Sequence, residues 1–150
     1  MSFLSNLFRR KPPFVHPTFG KMCFQKVAPD KSYWEGHALF TPTNTEIEVF
    51  VDGDTSGVAP GTLEFYNKVQ EQYHHIVAKF QPEIVRQLRE LSGKPLPVDF
   101  ASTCHPSSVS VPDTRLRKEW DIGMECLFDP NLSVTIEMED WDKGLVVIDS

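Results

Sequence analysis

Thr62–Gly93 reads TLEFYNKVQEQYHHIVAKFQPEIVRQLRELSG. On a wheel of about 100° per residue, Leu63, Phe65, Tyr66, Val69, Tyr73, Ile76, Val77, Phe80, Ile84, Leu88 and Leu91 fall in one broad sector, the mark of a helix with a single buried face. Thr62 is the expected N-cap, and Ser92-Gly93 with Pro95 soon after supplies the stop. The phase survives Pro82, so the stretch reads either as one helix kinked there or as two helices meeting at Gln81–Pro82. Both forms keep the same face on whatever lies beneath.

What lies beneath is read from the flanks, where the period drops to two. Tyr33–Phe40 and Thr45–Val51, joined by Thr41-Pro42-Thr43-Asn44, form a hairpin in which Ile47, Val49 and Val51 share one face and Glu46, Glu48 and Phe50 the other. Phe19–Phe24 permits a further strand. Downstream, Trp120–Cys126, Leu132–Glu139 and Leu145–Ile148 alternate between turns at Asp129-Pro130-Asn131 and Asp142-Lys143-Gly144, an antiparallel meander. Residues 94–117 show no clear period, although Val98–Ser102 reads as a short strand. The expected fold is α+β: a single, mostly antiparallel sheet of about five strands with the long helix across one face. Residues 18–150 form this domain and residues 1–17 an N-terminal tail or short amphipathic segment. No stretch repeats at a fixed spacing, which excludes a solenoid.

The chain has 150 residues, 40% hydrophobic and 24% charged, the composition of a globular protein with a real core. Its net charge of −6 is unevenly placed. Residues 1–37 carry six bases and two acids, whereas from Glu119 onward nine acids face the single base Lys143. Such an acidic half disfavours phosphate backbones, so nucleic-acid binding is not expected. Phe3, Leu4, Leu7 and Phe8 precede Arg9, Arg10 and Lys11, the reverse of a secretory signal. One or two turns stopped by Pro12-Pro13 bury too little area for strong membrane contact through residues 3–11. Cys23, Cys104 and Cys126 are far apart without a CxxC pair, which points to buried thiols in a reducing, cytoplasmic setting.

Each chemical motif fails at a specific point. Asp52, Asp54, Ser56 and Gly57 match the first half of an EF-type calcium loop, but Leu63 stands where the closing carboxylate belongs and Pro60 interrupts. His74 and His75 are adjacent on the helix and cannot ligate one metal from the same face, and no metal or cofactor is expected. Cys104-His105, with Asp99 or Asp113 as third member, could be cast as nucleophile and base, yet sequence neighbours rarely meet in that geometry. No catalytic residue is assigned on these grounds.

A Trp34-Glu35-Gly36 strand, an acidic hairpin, one long helix and a meander ending Glu137-Met138-Glu139-Asp140-Trp141-Asp142 resemble small uncharacterised bacterial α+β proteins, some of them toxin-immunity-like. The resemblance covers residues 33–150 and transfers no functional residue. The functional expectation is a non-enzymatic protein-binding domain, of the immunity-inhibitor kind, presenting Glu137, Glu139, Asp140, Trp141 and Asp142 to a basic protein partner. Its rivals are a hydrolase with its site in the 94–117 loop and a calcium-modulated binding module.

Overall fold

The computed structural model describes residues 14–28 and 31–150. The amphipathic segment at residues 3–11 lies outside them. Strands β1 (Phe14–His16), β2 (Gly20–Ala28), β3 (Lys31–Phe40) and β4 (Thr45–Asp54) follow one another as antiparallel neighbours, and the two-residue β5 (Gly57–Val58) folds back on β4. Helix α1 (Thr62–Ser92) and a 3-10 turn (Phe100–Ser102) lead into β6 (Cys104–Val111), β7 (Glu119–Cys126), β8 (Ser133–Glu139) and β9 (Lys143–Asp149). The sheet runs β1-β2-β3-β4-β6-β7-β8-β9, antiparallel at every step except β4–β6. Parallel neighbours need a long crossover, and α1 supplies it.

Nine strands form where about five were expected. β1 and β5 are too short to show a period, and β6 hides its alternation behind Pro106 and a register shift between Pro106 and Ser108. Val98–Ser102 is not a strand. The Asp99 carboxylate caps the 3-10 turn by accepting the Ala101 N–H at 3.2 Å, and the strand begins only at Cys104.

Burial follows the register. Gly36, Val49, Val109, Ile122, Ile136 and Val146 are successive Cα partners across the sheet and all are buried. Over this row lies the face of α1 carrying Tyr66, Val69, Tyr73, Ile76, Ile84 and Leu88, all buried. Phe40 meets Tyr73 edge-on at 4.9 Å between ring centroids, and the Tyr66 hydroxyl donates to the Leu39 carbonyl at 2.9 Å. At the far side Phe80 packs where β9 has no side chain: a Cβ on Gly144 would come within 2.8 Å of Phe80 Cζ. The Gln87 amide donates to Val146 O at 3.3 Å and the Lys79 ammonium to Asp142 O, so the helix also covers carbonyls on and beside the edge strand β9.

The helix is one element of 31 residues running through Pro82, which is exposed, so the two-helix alternative does not form. Its N-cap is Gly61, not Thr62. Gly61 holds φ 82°, which glycine adopts without strain, while Thr62 Oγ1 turns back to donate to Ala59 O at 2.8 Å. Among the described residues no helix is long and apolar enough to cross a membrane.

Candidate functional site

With α1 on one face, the other face of the sheet is left uncovered by any of the described residues. Glu35, Phe50, Ser110, Asp121, Glu137 and Leu145 are successive Cα partners, as are His37, Glu48, Ser108, Gly123, Thr135 and Val147. Both rows alternate with the buried row, so their side chains stand away from the helix. Two-residue spacing places Glu46, Asp52, Glu119, Glu125 and Glu139 on the same face. Against these carboxylates stand Lys21, Lys31 and Lys143 at the margins and Arg117 at Asp52. Among them Tyr33 and Phe50 form an edge-to-face pair at 5.9 Å, both half-buried.

Asp121 is half-buried among these acids. Burial raises its carboxyl above the ordinary range; the Ser110 hydroxyl and the Arg117 charge oppose the rise, and neighbouring Glu137 adds to it. A shallow cavity of about 460 Å³ opens beside it, lined by Arg117, Asp121, Glu137, Glu139, Lys143 and Leu145 among others. Arg117 belongs to the β6–β7 connection and crosses to β4. Its Nε and Nη2 meet the Asp52 carboxylate at 2.7 and 3.0 Å, and the Asp113 N–H donates to the same group at 2.9 Å. Asp52 is thereby filled by protein donors, and the Asp54 carboxylate accepts the Ser56 N–H at 2.8 Å as the turn of the β4–β5 hairpin. The residues that resemble half a calcium loop are those that shape this corner.

The expected site residues divide. Glu137 and Glu139 are exposed on the uncovered face, next to Asp121 and Glu119. Asp140, at φ 53°, turns the chain towards the helix side. There Trp141 packs on Phe65 at 4.7 Å and on Trp120 at 5.0 Å, with the Lys68 ammonium 4.4 Å from its ring centroid. Asp140 O accepts the Trp120 indole N–H at 2.6 Å and Asp142 O accepts Lys79. A second cavity of about 320 Å³ lies on this side, lined by Glu64, Phe65, Lys68, Lys118 and Trp141 among others. Arg117 lines both cavities, so the turn borders the sheet face at this corner.

Cys104 and His105 lie on opposite faces of β6, as period two demands, so they form no nucleophile–base pair. Burial pushes the Cys104 thiol up to about 12, away from the thiolate that catalysis needs. His105 stands opposite Glu125 on the uncovered face, but neither cavity includes that pair. His74 and His75 are both exposed on α1. Cys23 is exposed as well, contrary to the expectation of a buried thiol, because its register partner is Glu35 on the uncovered face.

Tyr33, Glu35 and Asp121 join this face through strand order, which no local period of the sequence carries. The hairpin alternation already put Glu48 and Phe50 on one face, and the missing information was which strands stand beside them. Comparison with known protein families, with curated proteins and with solved structures finds no match to this chain.

Proposed function

We propose that the protein is a non-enzymatic binding module of the immunity-inhibitor kind, which meets a basic protein partner in the cytoplasm through the uncovered face of its sheet. One observation carries the reading: a broad sheet that the described residues cover on a single face, whose other face carries the carboxylates of Glu35, Glu46, Glu48, Asp121, Glu125, Glu137 and Glu139 together with the Tyr33–Phe50 ring pair on β3 and β4. Opposite charge across an interface speeds encounter and fixes register, and an aromatic pair within the patch offers an apolar anchor of the kind that interface hot spots favour. Three unpaired thiols suit a reducing compartment.

The test is affinity capture from the cells of origin with two charge-reversed baits. Glu48→Lys with Glu137→Lys alters the sheet face, and Glu83→Lys with Glu90→Lys alters the exposed face of α1. A basic protein retained by wild type and by the helix variant but lost from the sheet variant supports the reading. A captured set that is indifferent to the sheet reversal sinks it. The hydrolase reading has the facing pair His105 and Glu125 as its geometric support, and hydrolysis abolished by His105→Ala would favour it instead.

A further inference from the structure

Cys104 and Cys126 take no part in the acidic face. They are Cα partners across β6 and β7, both buried on the side towards α1, at 3% and 4% exposure. The next pair along, Thr103 and Leu127, is joined by the Leu127 N–H to Thr103 O bond at 2.9 Å. Hydrogen-bonded and non-hydrogen-bonded pairs alternate in an antiparallel ladder, so Cys104 and Cys126 occupy a non-hydrogen-bonded site. There the chains come closest, with Cα atoms about 4.5 Å apart. Disulfides bridge Cα separations of about 4.4–6.8 Å, so the ladder geometry of this pair falls within the range a disulfide spans.

Position in the fold also gives a reagent its way in. Cys104 is the first residue of β6 and Cys126 the last of β7. Local opening at this end of the strand pair, which breaks the Leu127 N–H to Thr103 O bond, would expose both without opening the rest of the sheet. Cys23 sits on the opposite face, with β3 and β4 between its strand and β6, and does not compete for either partner.

We propose that Cys104 and Cys126 are a redox-active dithiol which a small-molecule disulfide of the glutathione class converts to an intramolecular disulfide. In the locally opened state the Cys126 thiolate attacks one sulfur of glutathione disulfide, forming a mixed disulfide and expelling one glutathione thiolate. The Cys104 thiolate then attacks Cys126 Sγ, forming the protein S–S bond and expelling the second glutathione thiolate. The two protons shed by the protein thiols end on the two glutathione thiolates; the protein loses two electrons and glutathione disulfide gains them. Excess reduced glutathione reverses both steps. The bridge ties β6 to β7 beneath the helix and restricts the unfolded chain, so the oxidised form melts at higher temperature.

The experiment uses the full chain carrying Cys23→Ser, reduced and then incubated with glutathione disulfide, quenched with acid and counted for free thiols under denaturing conditions. The expected result is a fall from two free thiols to none, a mass lower by two hydrogens with no retained glutathione, a proteolytic fragment linking residues 104 and 126, and a raised melting temperature. The wild-type chain should give the same linked fragment, which covers the case in which Cys23→Ser folds poorly. Cys104→Ser should stop at a glutathione adduct on Cys126. Two thiols that remain free, or a glutathione adduct that persists on Cys126 when Cys104 is present, overturns the proposal.

Discussion

Asp121 on β7 and Glu137 on β8 stand directly opposite one another on the uncovered face, and the two do not share the same environment: Asp121 is half-buried and Glu137 exposed. Like charges facing each other across a ladder destabilise a sheet, and burial makes the ionised form of Asp121 costlier still.

The first prediction concerns pH. The folded carboxyl of Asp121 titrates above its unfolded value, so the folded state holds the proton more tightly than the unfolded chain. Ionisation therefore opposes folding: the penalty is absent below the ordinary aspartate range, grows as pH rises through the window up to the raised value, and is complete above it. Asp121→Asn should be more stable than wild type at neutral pH, and the two should converge in acid. Urea midpoints measured across that window check this, and a constant difference at every pH would contradict it.

Removing the cross-sheet tie should be felt in stability. Arg117 is the bidentate partner of Asp52, and both are partly buried, so Arg117→Ala leaves a carboxylate with only the Asp113 N–H. Loss of hydrogen bonds to a charged group costs about 1.5–3 kcal/mol. A lowered urea midpoint with an unchanged slope is expected. Arg117→Lys, which cannot reproduce the fork, should recover only part of the loss.

Tyr73, Phe80 and Ile84 lie near the centre of the apolar sector of α1, and all three are buried. Phe80→Ala should cost about 3–5 kcal/mol, the usual range for emptying an aromatic core site. Gly144→Ala should cost about 1–3 kcal/mol as overpacking, because its Cβ would meet Phe80 Cζ, Met138 Sδ and Glu137 O within 2.8 Å. Since one contact is shared, the double variant should be less damaged than the sum of the two, which a double-mutant cycle measures.

That helix face was legible because an apolar period of 3.6 residues is local and runs uninterrupted through Pro82. The hairpin Tyr33–Val51 and the final meander were legible for the same reason at period two. What could not be read was the pairing of β4 with β6: a parallel neighbour is fixed by the helix packing between them, and Pro106 with the shift at Ser108 erases the alternation that would announce β6. The same gap hid the candidate site. Glu48, Phe50 and Glu137 lie far apart in the chain, and only the order β4-β6-β7-β8 makes them one surface. Cys23 was misread because a cysteine on a half-exposed strand looks, by type alone, like core.

The last prediction separates the sheet face from the turn that follows it. Glu48 and Glu137 stand on the uncovered face, whereas Asp140 and Asp142 belong to the turn that brings Trp141 against Phe65 and Trp120. Salt at 0.1 M screens surface charges over about 10 Å, so a partner centred on β4–β8 should feel Glu48 and Glu137 more strongly than the turn acids at the margin of that face. Reversal by Glu48→Lys with Glu137→Lys should slow association with the basic partner by about tenfold or more at low salt, within the range over which steering alters on-rates. Asp140→Lys with Asp142→Lys should change the rate much less, although the formal charge change is the same. Stopped-flow association measured at several salt concentrations gives both comparisons. Equal slowing by the two pairs would mean that net charge alone steers the partner, and a larger effect at the turn would move the docking surface to Trp141.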